Sequence, residues 1–97
     1  MILELAIFSI VPTQKGEFET AFTEARKVIS SMPGFIGLQL QRCIETDGRY
    51  ALLVQWQTVE HHTVGFRQSP QFQQWRALLG PYFAAVPAVE HYESVTA

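Results

Sequence analysis

The sequence predicts an α+β fold in which helices cover one face of an antiparallel sheet. Three observations predict it. Apolar residues recur with a period of two in four stretches and at 3/4 spacing in the stretches between them, in the order β-α-β-β-α-β. Pro and Gly punctuate the boundaries, as at Pro33-Gly34, Asp47-Gly48 and Gly80-Pro81. The chain has 97 residues, 47% hydrophobic and 16% charged, which suits one packed core and not two. Residues 1–97 are therefore expected to form a single domain.

Residues 2–11 are apolar, short and stopped by Pro12, and read as the first strand. Thr13 is the expected N-cap of the first helix, with Glu17 and Glu19 in its first turns, where the helix dipole favours acids. Phe18, Ala21, Phe22, Ala25, Val28, Ile29 and Met32 form its apolar stripe, and Pro33-Gly34 ends it. From Phe35 to Glu45 the chain alternates, with Ile36, Leu38 and Leu40 against Gly37, Gln39 and Gln41, and reads as a second strand. Thr46-Asp47-Gly48-Arg49 is a hairpin turn, and Tyr50 to Gln57 is the return strand. Thr58 caps a second helical segment. Ser69-Pro70 opens a third, with Ser as cap and Pro at the first helical position, and Phe72, Trp75, Leu78 and Leu79 are its apolar residues. Pro87 to Val95 reads as the last strand. With right-handed crossovers this order gives the ferredoxin-like arrangement.

Helices in this plan cover one sheet face, yet both faces carry apolar residues. In the first strand Leu3, Leu5 and Ile7 point one way, and Ile2, Ala6, Phe8 and Ile10 the other. In the third strand Leu52, Val54 and Trp56 oppose Ala51 and Leu53. An exposed apolar sheet face is rare on a monomer, and a second copy packed face to face would cover it. The expected assembly is a homodimeric α/β barrel.

Composition excludes several classes of function. Seven Lys and Arg against nine Asp and Glu leave a net charge of −2 with no basic run, so nucleic acid is not an expected partner. No apolar stretch approaches the ~20 residues of a membrane span. The N-terminus has no basic region or cleavage site, and Cys43 stands alone, which fits a reducing cytoplasm. His61, His62 and His91 match no metal-binding spacing, and no metal is expected.

The second helical segment carries the most chemistry. Val59, His62, Thr63 and Phe66 share a face that should lie on the sheet, with His62 inward and His61 outward. An inward histidine serves as a proton shuttle or an oxyanion-side donor, or as a core histidine bonded to a backbone carbonyl. Trp56, Phe66, Phe72, Trp75 and Tyr82 are the expected walls of a small-ligand pocket, or simply the core. Arg67 and Arg76 are expected at its mouth, or as solvated surface groups. Ser9, a lone hydroxyl on an apolar strand face, is a further ligand donor or a satisfied core group.

The stretch W-Q-T-V-E-H-H-T-V-G-F-R-Q-S-P-Q-F-Q-Q-W-R from Trp56, the later P-Y-F and V-E-H-Y-E, and Pro33-Gly34-Phe35 together resemble the antibiotic biosynthesis monooxygenase domain. The resemblance covers essentially the whole chain. It implies a dimeric α/β barrel and one of several activities, among them cofactor-independent oxidation of phenols or quinols by O2 and heme degradation. The heme-degrading branch has Asn, Trp and His at positions where this chain has Ser9, Phe66 and Arg76, so heme degradation is disfavoured. The expectation is thus a monooxygenase needing no cofactor and acting on a small aromatic phenol or quinol. In it His62 is the base, Arg67 or Arg76 stabilises the anion, and Ser9, Trp56, Phe66, Phe72, Trp75 and Tyr82 surround the substrate. The alternative is a homodimer that binds a small apolar ligand, or a partner, without turnover.

Overall fold

A computed structural model describes residues 1–96. Strands β1 (Ile2–Ser9), β2 (Phe35–Arg42), β3 (Arg49–Trp56) and β4 (Ala88–Tyr92) form one sheet in the order β2-β3-β1-β4, with every neighbouring pair antiparallel. Helix α1 (Lys15–Ser30), a π-helical segment (His61–Phe66) and helix α2 (Pro70–Leu79) lie on one face. The fold is the expected ferredoxin-like α+β arrangement. Period-two alternation decides which side chains meet the helices. Ala6 and Phe8 of β1 and Tyr50, Leu52, Val54 and Trp56 of β3 are buried there against Phe18, Phe22, Ala25 and Ile29 of α1. Trp75 of α2 meets Phe22 edge-on, 5.9 Å between centroids, and so ties the helices together.

Boundaries differ from the sequence reading for identifiable reasons. Strand β1 stops at Ser9, two residues short of Val11. Ile10 N–H donates to the Gly48 carbonyl and Val11 N–H to that of Tyr82, so these groups leave the ladder for two loops. Thr13 does not cap α1. Pro12 opens a 3₁₀ turn over Pro12–Gln14, and α1 follows with Gln14 at its cap position and no side-chain cap. Strand β2 ends at Arg42, since Cys43 already belongs to the loop that Gly48 closes at φ +80°. Ile36 does not share a face with Leu38 and Leu40. The register slips between Phe35 and Gly37, which pairs Phe35 with Trp56 and leaves Ile36 46% exposed. The last strand is Ala88–Tyr92, shorter than the expected 87–95. The Thr58 and Ser69 caps form as expected: Thr58 Oγ1 accepts from His61 N–H, and Ser69 Oγ from Phe72 N–H.

The other sheet face carries Leu3, Leu5 and Ile7 of β1 and Ala51 and Leu53 of β3, all half-buried. Exposed Gln39 and Gln41 lie toward the β2 edge, and exposed Glu90 and Tyr92 toward the β4 edge. No helix among the described residues is long and apolar enough to cross a membrane.

Candidate active site

Between the helices and the sheet lies a cavity of about 640 Å³. It is lined from β1, β3, β4, the π-helical segment and α2, with Arg67, Gly80 and residues 83–87 between them. Strand β1 contributes Glu4, which alternation places on the helix-facing side, where Ala6 and Phe8 follow it. Glu4 is only 5% exposed. Its Oε1 accepts a hydrogen bond from Trp56 Nε1–H at 2.9 Å, across the β1–β3 pair. The wide turns of His61–Phe66 carry His62 and Phe66 inward. The His62 ring stacks on the indole of Trp56, 5.6 Å between centroids and 23° between planes. Its Nε2 stands 3.4 Å from Glu4 Oε1. Strand β4 sets His91 opposite Glu4 in register, and His91 Nε2 lies 2.8 Å from His62 Nδ1. Both ring nitrogens of His62 thus face side chains, not the backbone carbonyl of the bland alternative.

Both contacts to Glu4 fall on Oε1, which leaves Oε2 for the cavity that Glu4 lines. Burial raises the Glu4 pKa above its ordinary value, and the Trp56 hydrogen bond and the Arg67 charge offset part of that rise. Burial, then the charges of Arg67 and His91, lowers His62 to about 4. His62 is therefore neutral at pH 7, and its 3.4 Å approach to Glu4 is a polar contact and not an ion pair. A carboxylate raised by burial and braced by two aromatic partners is a proton acceptor suited to mildly acid or neutral conditions.

The walls are aromatic. Phe66 meets Phe72 and Trp75 edge-on, at 5.2 and 5.7 Å between centroids. Arg67 and Arg76 line the cavity and are exposed. Residues 83–87, from Phe83 to Pro87, form the remaining wall, with Val86 93% exposed.

Of the residues expected from sequence, His62, Phe66, Arg67, Phe72, Trp75 and Arg76 come together at this cavity. Three do not line it. Ser9 projects from the opposite sheet face, because odd positions of β1 point away from the helices, and its carbonyl accepts from Ala84 N–H. Trp56 is fully buried behind His62 and donates its Nε1–H to Glu4. Tyr82 sits against Phe18 and borders a separate depression with Thr13, Glu17 and Thr20. Sequence reasoning missed Glu4 as a site residue and weighed His91 only as a metal ligand. The signal for Glu4 was available: it is an acid in the core-facing register of an apolar strand. No group of three or more His, Cys, Asp or Glu among the described residues is arranged to hold a metal.

Comparison with known proteins adds four findings. The profile of a family described as antibiotic biosynthesis monooxygenase matches residues 1–78. YczJ of Bacillus subtilis (strain 168), an uncharacterised protein, is 43% identical over 95 residues, covering 98% of this chain and all of YczJ. A crystal structure from Bordetella bronchiseptica, assigned as a candidate antibiotic biosynthesis monooxygenase, superposes with a TM-score of 0.94. It is 41% identical, over 98% of this chain and 97% of its own. At 17% identity, SnoaB of Streptomyces nogalater, a cofactor-independent oxygenase, shares the fold with a TM-score of 0.81 over 99% of this chain and 94% of its own.

Proposed function

The chain belongs to the antibiotic biosynthesis monooxygenase family, and from that premise we propose that it is a cofactor-independent oxygenase of a small phenolic or quinol-type aromatic. The observation that carries the reading is the Glu4 carboxyl, buried at an aromatic-walled cavity and held by Trp56 and His62. A cavity of about 640 Å³ suits a ligand of a few fused rings, since small-molecule sites span roughly 300–1,000 Å³.

The chemistry asks three things of the protein. It must take a proton, hold the resulting anion and keep water away. Glu4, with neutral His62 behind it, takes the phenol proton: the O–H bond breaks and a carboxylic O–H forms. Arg67, whose charge already bears on Glu4 and His62, stabilises the phenolate. The electron-rich anion passes one electron to O2, and recombination forms a C–O bond to a peroxide. In an anthrone-type substrate the peroxide O–O bond then breaks as the same carbon loses its remaining hydrogen as a proton and its C–H electron pair forms the new C=O bond. That proton and the one held by Glu4 both end on the departing oxygen, so the products are a ketone and water. Phe66, Phe72 and Trp75 hold the rings. SnoaB, with the same fold, is a cofactor-independent oxygenase, which supports the reaction class.

The functional unit in this reading is a homodimer joined through Leu3, Leu5, Ile7 and Leu53. The test is turnover of a tricyclic hydroxyanthrone under 18O2 in metal-free buffer. One labelled oxygen in the quinone and one in water, with uptake above the protein-free rate, supports the oxygenase. Ligand binding without uptake replaces it with a binding module.

A further inference from the structure

Two guanidinium groups line the cavity, and the proposed chemistry uses one of them. Arg67 follows the π-helical segment and lies close enough for its charge to bear on Glu4 and His62. Arg76 lines the same cavity from α2, one helical turn beyond Phe72. It is exposed, and it enters no ion pair among the described residues. Lys15, Lys27 and Arg42 are paired with Asp47, Glu24 and Glu19. Of the four remaining Lys and Arg, two therefore stand on this one cavity, in a chain whose net charge is −2.

Nothing in the lining offers Arg76 a partner. Glu4 is the cavity's one carboxylate, and it is buried, bonded to Trp56 and in polar contact with His62. Apart from Arg67 and His62, the other lining residues, such as Phe72, Trp75, Phe83 and Val86, are apolar. A guanidinium is a planar fork of donors that matches a carboxylate. An apolar chamber with a proton acceptor inside and an unpaired fork on its wall has the polarity of a two-ended molecule.

We propose that the ligand is a hydroxy-aromatic acid, its carboxylate held by Arg76 and its hydroxyl turned to Glu4. The proposal deepens the oxygenase reading and rests on it for the hydroxyl at Glu4. Arg76 is then the residue that selects acids over neutral phenols of the same shape.

Calorimetric binding of 6-hydroxy-2-naphthoate and of 2-naphthol, without oxygen, tests it on the full chain and on Arg76→Gln and Arg67→Gln variants. The acid should bind the unaltered protein at least about tenfold more tightly than naphthol, as one charge-assisted contact implies. Arg76→Gln should remove that preference and leave naphthol binding unchanged, which also shows that the variant folds. Added salt should erode the preference. Equal affinity for the two ligands, binding of neither, loss of both in Arg76→Gln, or loss of the preference only in Arg67→Gln would each overturn it. Its failure is separable from that of the oxygenase. An Arg76-dependent acid preference without oxygen uptake keeps the acid site and removes the oxygenase. Oxygen uptake without the preference does the reverse.

Discussion

Glu4 stands where the alternation of β1 calls for a hydrophobe, and its burial has a cost that depends on pH. Its folded pKa is raised, so between the ordinary carboxyl value and the raised one the folded chain binds more protons than the unfolded chain. Stability therefore falls as pH rises through that window. Glutamine has the same shape, keeps an oxygen for Trp56 Nε1–H and carries no charge. Denaturant titration should find Glu4→Gln more stable than the unaltered protein at pH 8, with the difference vanishing below pH 4. A variant less stable than the unaltered protein at pH 8 would mean that the ionised carboxylate holds the site together. The pair also sets the rate profile. The rate should rise as Glu4 loses its proton, with no separate step near 6.5, because burial has already moved His62 to about 4.

At the scale of elements, two local devices fix the edges of the site. The Ser69 cap and Pro70 start α2 where Phe72, Trp75 and Arg76 reach the cavity. Ser69→Ala should cost about 1 kcal/mol in a denaturant titration. Gly48 closes the β2–β3 loop at φ +80°, and a Cβ there would stand 2.3 Å from the Ile10 carbonyl oxygen. Gly48→Ala should therefore cost more than the 1–3 kcal/mol of a strained backbone alone, measured the same way. Much at this scale was legible in the sequence. Asp47-Gly48 and Ser69-Pro70 are signals carried by neighbouring residues, and the inward turn of His62 follows from helical spacing. The bulge at Ile36 was not legible, because the apolar alternation in the sequence continues unbroken through it while the shifted pairing turns Ile36 away from the core. Nor was the Glu4–His62–His91 cluster. Its members come from β1, the π-helical segment and β4, and only the register Glu4 opposite His91 brings them together.

At the scale of the whole molecule, the sheet has one covered face and one whose middle is apolar. Leu3, Leu5, Ile7 and Leu53 are half-buried by their neighbours alone, and Gln39, Gln41 and Glu90 border them. That apolar centre with a polar border has the composition that the proposed dimer would bury. Light scattering at micromolar concentration should give twice the 11.0 kDa chain mass, and Leu5→Lys with Leu53→Glu should give a monomer. A monomer before any substitution would leave the apolar face unexplained.

The central claim is that buried Glu4 takes the substrate proton, and oxygen uptake by the Glu4→Gln protein with a hydroxyanthrone tests it most directly. Loss of a general base costs roughly 10²- to 10⁴-fold, so uptake should fall by at least about a hundredfold while ligand binding persists. Uptake within a few-fold of the unaltered protein would contradict the claim and move the proton acceptor elsewhere in the cavity.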